Sequence, residues 1–214
     1  GDTHLQWNYL HSEDDDLIRF LRQDMPWHTS GVLWKKEVPA ALGGWDEKVS
    51  SWQDWDLHLM ALLSPGLTYF KAEGEVADSY YRVDGSANAI SITGYTSRSF
   101  ETRLYLIDKF SGLLPLERAD IRLEFAKLIY RQADQLFRHY DTNLAVRFLQ
   151  DHLQKLGYSK VFAQLWSAYL RIKLSPSAGS YLKKGVGLVP VFYRNHSLNL
   201  NKRTHLTAVA GGGK

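Results

Sequence analysis

The sequence predicts an α/β fold that passes into a mainly α-helical extension, and three observations lead there. Trp55, Leu59, Leu62 and Leu63 recur at helical spacing behind a glycine turn, so the stretch beginning near residue 53 reads as an amphipathic helix. Residues 32–34, 67–71 and 79–83 are rich in β-branched and aromatic side chains, the composition of strands. From residue 99 onward the apolar residues keep a helical period, with no glycine between 113 and 156.

The elements follow in order. Ser12 stands before Glu13-Asp14-Asp15-Asp16 and then Leu17, Ile18, Phe20 and Leu21, which predicts a helix with Ser12 as N-cap and acids in its first turn. Pro26 moves Met25 out of helical space and ends that helix. Val32-Leu33-Trp34 is expected as a strand, and residues 35–42 as a short helix stopped by Gly43-Gly44. Ser50 precedes Gln53 by three residues and Ser51 precedes Asp54 by three; both fit a capping box. Ser64-Pro65-Gly66 and Asp84-Gly85 are turns around the two further strands. Beyond them, one helix runs through Phe100, Leu104, Ile107 and Phe110. A longer one runs through Ile121, Phe125, Leu128, Ile129, Ala133 and Phe137, with Pro115 at a helix-start position. Residues 144–156 and 161–172 make two more, parted by Gly157. Their aromatic stripes read as core. Residues 175–180 have linker composition, and residues 185–193 form a short apolar run between Lys183-Lys184 and Arg194.

Composition narrows the function. Apolar residues make up 44% of 214, enough for a core and too many for global disorder. No apolar run approaches the ~20 residues of a membrane-spanning helix, and the start lacks a signal-peptide pattern. Cysteine is absent, which removes disulfide scaffolds and thiolate metal sites and makes a cytoplasmic location the default. The eight histidines do not pair at zinc-ligand spacing, and no Gly-X-Ser-X-Gly occurs. Residues 1–100 hold 8 Lys/Arg against 15 Asp/Glu, and residues 101–214 hold 18 against 8. From Arg171 to the end there are 8 basic residues and no acid. A tail of one sign is either simply solvated or suited to an anionic partner such as a membrane surface; nucleic acid is not expected.

Asp54 is the candidate for the chemistry. In the first turn of its helix it meets backbone N–H groups and the positive end of the helix dipole, which favour an ionised carboxylate. Such a group is either a dipole partner only or a base at the floor of a cleft.

The flanking residues favour the base. Thr29-Ser30-Gly31-Val32-Leu33-Trp34-Lys35-Lys36-Glu37, then Leu42-Gly43-Gly44-Trp45-Asp46-Glu47, then Trp52-Gln53-Asp54-Trp55-Asp56-Leu57, resemble the acceptor-side half of a family 2 inverting glycosyltransferase with the GT-A fold. The likeness covers residues 25–95. It implies the C-terminal portion of a GT-A fold, Asp54 as general base, and Trp27, His28, Thr29, Ser30, Trp52 and Gln53 about the acceptor. It also implies a nucleotide-sugar donor, a glycan or other hydroxyl acceptor, and a divalent cation (Mg²⁺ or Mn²⁺) on the diphosphate. Trp27, Trp52 and Trp55 are candidates for the acceptor platform. Arg82 answers to the arginine of a segment that closes over the diphosphate, but Asp84 stands where a histidine is frequent, so the metal ligands stay unassigned.

Asp14-Asp15-Asp16 has the form of the family's metal-binding Asp-X-Asp, yet no apolar strand precedes it and Asp54 follows only ~40 residues later. Helix capping is the expected role, which would leave the metal- and nucleotide-binding half outside this chain. The resulting division is 1–98 for the acceptor-side part, 99–174 for the helical extension, and 175–214 for a basic linker and tail. The function expected is sugar transfer with inversion, with a non-catalytic glycan-binding or membrane-surface adaptor module as the alternative.

Overall fold

A computed structural model describes residues 9–72 and 96–174. Helices take 63% of them and none is in a strand, so the described part is an all-helical, bundle-like fold and the α/β, GT-A expectation is corrected. Val32-Leu33-Trp34 and residues 67–71 run without a sheet partner. Their composition suited a half-buried pleated surface, but β propensity expresses itself only where a neighbouring strand takes up the backbone hydrogen bonds. Leu33 is instead 100% exposed. The expected strand at 79–83, Arg82, Asp84 and the segment 175–214 lie outside the described residues.

The first helix, α1 (Asp16–Leu21), is capped one turn later than expected: Asp15, not Ser12, accepts the Leu17 N–H at 2.8 Å. The acids around it serve charge pairing. Asp14 meets Arg22 at 2.7 Å, Asp15 meets Arg118 at 3.6 Å, and Asp16 meets Lys71 at 2.7 Å. A 3₁₀ turn (Thr29–Gly31) and the short α2 (Glu37–Ala41) follow. Gly43 and Gly44, at φ 85° and 73°, end α2 in left-handed backbone that other residues adopt only with strain.

Helix α3 (Gln53–Leu63) begins where expected, but by another device. Ser50 Oγ pairs with Thr102 Oγ1 at 2.8 Å and Ser51 is buried, so neither caps it. Trp52 holds the N-cap position in left-handed backbone, φ 66°, with no side-chain cap bond. Asp54 Oδ1 supplies the first-turn acceptor instead, taking the Trp55 N–H at 2.9 Å.

Helices α4 (Ser97–Ser111), α5 (Ala119–His139), α6 (Thr142–Lys155) and α7 (Lys160–Leu174) complete the described fold. Helix α5 starts four residues after Pro115, which sits in the preceding turn rather than in the helix. Its apolar face, from Ile121 through Phe125, Leu128, Ile129 and Ala133, is the centre of the core, and Phe20, Leu21, Trp55 and Leu59 from the first part join the same cluster. Fully burying each such side chain stabilises by roughly 1.5–3 kcal/mol, more than the exposed ion pairs can. Two polar ties fix the first part on α5 and α4. Arg131 on α5 donates to the carbonyls of Leu21 and Arg22, closing the open end of α1. Lys109 on α4 reaches Asp46 at 3.2 Å and Asp56 at 2.8 Å, holding the glycine turn against the side of α3. No helix among the described residues is long and apolar enough to cross a membrane.

Candidate functional site

The site lies at the start of α3, where α1 delivers the 3₁₀ turn against Asp54. Trp55 Nε1 donates to the Phe20 carbonyl at 2.9 Å and fixes α3 on α1. Pro26 then turns the chain, and residues 27–30 come back across the first turn of α3. Thr29 Oγ1 donates to Asp54 Oδ2 at 2.6 Å, a contact between residues 25 apart in sequence. Next to it, His28 Nδ1 accepts the Ser30 N–H at 3.3 Å and pairs with Ser30 Oγ at 2.8 Å, so these two side chains shape the turn that presents Thr29. Asp54 thus has one oxygen on a backbone N–H and the other on a hydroxyl, with further lone pairs on both.

Aromatic rings wall the next turn of α3. His58, four residues after Asp54 and so on the same helix face, is 2% exposed. Trp34 stacks on it, with centroids 5.8 Å apart and planes at 20°; Trp27 meets it edge-on at 5.8 Å, and Phe20 at 5.4 Å. Trp27 also faces Tyr69 at 5.8 Å, and Lys71 lies over its ring. Burial holds the His58 imidazole down at a pKa of about 4, against an opposing pull from Asp54 and with a further push from His28. The ring is therefore neutral near pH 7.

Of the residues expected at the site, Thr29 and Asp54 are in direct contact, and His28, Ser30 and Trp27 are beside them. Gln53 is the half-buried first residue of α3. Trp52 turns toward α4 instead, against Trp55 at 5.3 Å and under the Arg103 guanidinium at 5.2 Å. Trp55 is core. Trp34 and His58 were not foreseen as site residues; the one available signal was the four-residue step from Asp54 to His58.

A shallow depression of about 640 Å³ lies at the other end of α3, between Asp14–Asp16, Leu62, Leu63, Lys71 and Arg118. Its three aspartates are already matched by Arg19, Arg22, Lys71 and Arg118, and Asp16 also accepts from the Tyr69 hydroxyl at 2.6 Å. No group of three or more His, Asp or Glu among the described residues is arranged to hold a metal ion. The donor set here does not fit a divalent cation.

No protein-family model, curated protein or solved structure matches the chain. Together with the absence of strands among the described residues, this corrects the assignment to family 2 glycosyltransferases: the likeness at residues 29–57 is one of local sequence, a glycine turn followed by a helix start.

Proposed function

We propose that the Asp54 site receives a polyhydroxylated acceptor and that Asp54 takes the proton from its reacting hydroxyl during transfer of a sugar from a nucleotide-sugar donor. The observation that supports this reading is the 2.6 Å Thr29–Asp54 contact. It brings the segment expected to line an acceptor pocket onto the residue expected to be the base. The aromatic faces of Trp27 and Trp34 are suited to the C–H surface of a sugar ring, and the hydroxyl and carboxylate groups to its O–H groups.

Chemically, the acceptor O–H hydrogen-bonds to a remaining lone pair of Asp54. As the acceptor oxygen forms its bond to the anomeric carbon, its proton passes to the carboxylate and the bond to the leaving diphosphate breaks. Thr29 keeps the carboxylate in one orientation, which is worth rate because a base must already face its proton. The donor-binding half is expected outside this chain, Arg82 lies outside the described residues, and no step here runs through either. A cytoplasmic location follows as part of the same reading, with the basic segment after Arg171 available to an anionic membrane surface.

A second reading is a module that binds glycan and transfers nothing, because aromatic faces and hydrogen-bonding groups can hold a sugar without a donor beside them. Two measurements separate the readings. Sugar transfer assayed with UDP-, GDP- and dTDP-sugars is expected to vanish in Asp54→Asn while the circular dichroism spectrum is unchanged; normal turnover in that variant rules the base assignment out. Titration with UDP, GDP and dTDP, with and without Mn²⁺, is expected to show binding if the chain turns over a donor. Glycoside binding with no nucleotide binding and no turnover selects the second reading.

A further inference from the structure

Two buried histidine side chains in this fold are treated in opposite ways. His152 on α6 uses both ring nitrogens: Nδ1 meets the Phe148 carbonyl at 2.9 Å and Nε2 meets Asp108 at 3.0 Å. That is the ordinary condition of a structural histidine, because a buried polar atom without a partner costs free energy. His58 is as deeply buried, at 2% exposure, yet neither Nδ1 nor Nε2 has a hydrogen-bond partner among the described residues. The buried Nε1 of Trp27, whose ring packs edge-on to His58, also has no partner among them.

The two imidazole nitrogens belong to a residue one helical turn from Asp54, about 6 Å along the α3 axis, and the indole N–H belongs to the ring packed edge-on to it. A neutral imidazole has one donor and one acceptor nitrogen, and an indole adds a donor. Unpartnered donors and acceptors set among aromatic rings suit a second hydroxyl group on a ligand already held by its first. Trp34 forms the outer wall. It is half-buried, and Leu33 beside it is fully exposed, so little packing opposes its displacement.

We propose that His58, with Trp27 Nε1, is a binding residue for the acceptor hydroxyl adjacent to the reacting one, so that the site takes a ligand with two neighbouring hydroxyls and Trp34 covers it. This rests on the placement of the acceptor at Asp54. The two hydroxyls divide the work: one faces Asp54 and Thr29, and its neighbour both donates to and accepts from the His58–Trp27 pair. A ligand lacking the second hydroxyl leaves those atoms unpaired and is selected against, which is how a polar site rejects deoxy analogues.

The test is an NMR titration of the full chain with methyl glycosides of glucose, galactose, mannose and N-acetylglucosamine. The ring nitrogens of His58 are followed in ¹⁵N-histidine protein, and the same titrations are run on His58→Phe, His58→Gln and Asp54→Asn. His58→Phe keeps the ring against Trp34 and removes both nitrogens. The expected result is binding by the wild type with a shift of the His58 ring nitrogens, weakened roughly tenfold in His58→Phe, the effect of losing one good hydrogen bond, and partly restored in His58→Gln. Binding that leaves the His58 nitrogens unmoved, or that survives His58→Phe undiminished, overturns the inference without touching the role of Asp54. If a variant fails to fold, the wild-type ring shifts decide alone. Binding that is strong in Asp54→Asn, with transfer intact, instead removes the reading of Asp54. No binding of any glycoside by the folded wild type overturns both.

Discussion

The Thr29 hydroxyl lies 2.6 Å from Oδ2 of Asp54, and the bond joins a 3₁₀ turn to the first turn of a helix. It has two consequences, one for stability and one for the base. Thr29→Val preserves the branched shape and removes the donor. A hydrogen bond to a charged group contributes about 1.5–3 kcal/mol when well shielded, and less here because Asp54 is half-buried. We expect about 1 kcal/mol of lost stability in urea denaturation, and transfer lowered about tenfold through misorientation of the carboxylate. A variant that is destabilised but fully active limits Thr29 to a structural role.

His58 makes stability depend on pH in a definite direction. Its pKa is about 4 in the folded protein, chiefly through burial, with Asp54 pulling it up and His28 pushing it down, against an unfolded value near 6.5. The unfolded chain therefore binds a proton that the folded chain refuses between those values. Stability is full above about pH 6.5 and falls as pH drops toward 4, by about 3 kcal/mol in total. Denaturation at pH 7 and pH 5 should show most of that loss in the wild type and much less in His58→Phe. Equal slopes in both proteins mean that the imidazole is reached by water. The acids lowered by their partners, Asp46, Asp108 and Asp134, act in a separate window below their usual pKa.

Lys109 serves two carboxylates of unequal burial. Asp46 is partly open, whereas Asp56 is 3% exposed. Burial works against the Lys109 charge, but its bonds to Asp56 and Asp46 prevail and raise its pKa above the usual value. Lys109→Met leaves Asp56 buried without its cation and is expected to cost about 3 kcal/mol. Asp46→Asn removes only the outer partner, which also accepts from the Tyr105 hydroxyl at 2.8 Å, and is expected to cost about 1 kcal/mol. Urea midpoints of the two variants decide whether the inner pair dominates; equal losses mean that it does not.

The helices were legible because their signal is local. The spacing of Trp55, Leu59 and Leu63 placed α3, and Phe125, Leu128, Ile129 and Ala133 placed α5, close to their observed bounds. The strands were not legible, because composition at 32–34 and 67–71 says nothing about whether a partner edge exists. The cap of α3 was misjudged for a related reason: Ser50 fits a capping box in sequence, but Thr102, 52 residues away, takes its hydroxyl. At the site, the structure puts Thr29 on Asp54, while the expectation that residues 27–30 line an acceptor pocket came from resemblance to a family that the fold does not support. His58 and Trp34 escaped notice because their meeting depends on how α1 seats the intervening loop.

Trp52 gives the last prediction. It stands at φ 66°, ψ 24°, just before Gln53, in a region that costs a residue with a β-carbon about 1–2 kcal/mol. Packing on Trp55 and the guanidinium of Arg103 compensates for the strain, so removing the side chain destabilises whichever small residue replaces it. The order of the replacements carries the information. At most positions Gly is worse than Ala, since it loses more backbone freedom on folding. At a left-handed position the order reverses, because Gly enters that conformation without strain. Trp52→Gly is therefore expected to be about 1 kcal/mol more stable than Trp52→Ala in urea denaturation. The opposite order means that the chain does not enter α3 through left-handed backbone.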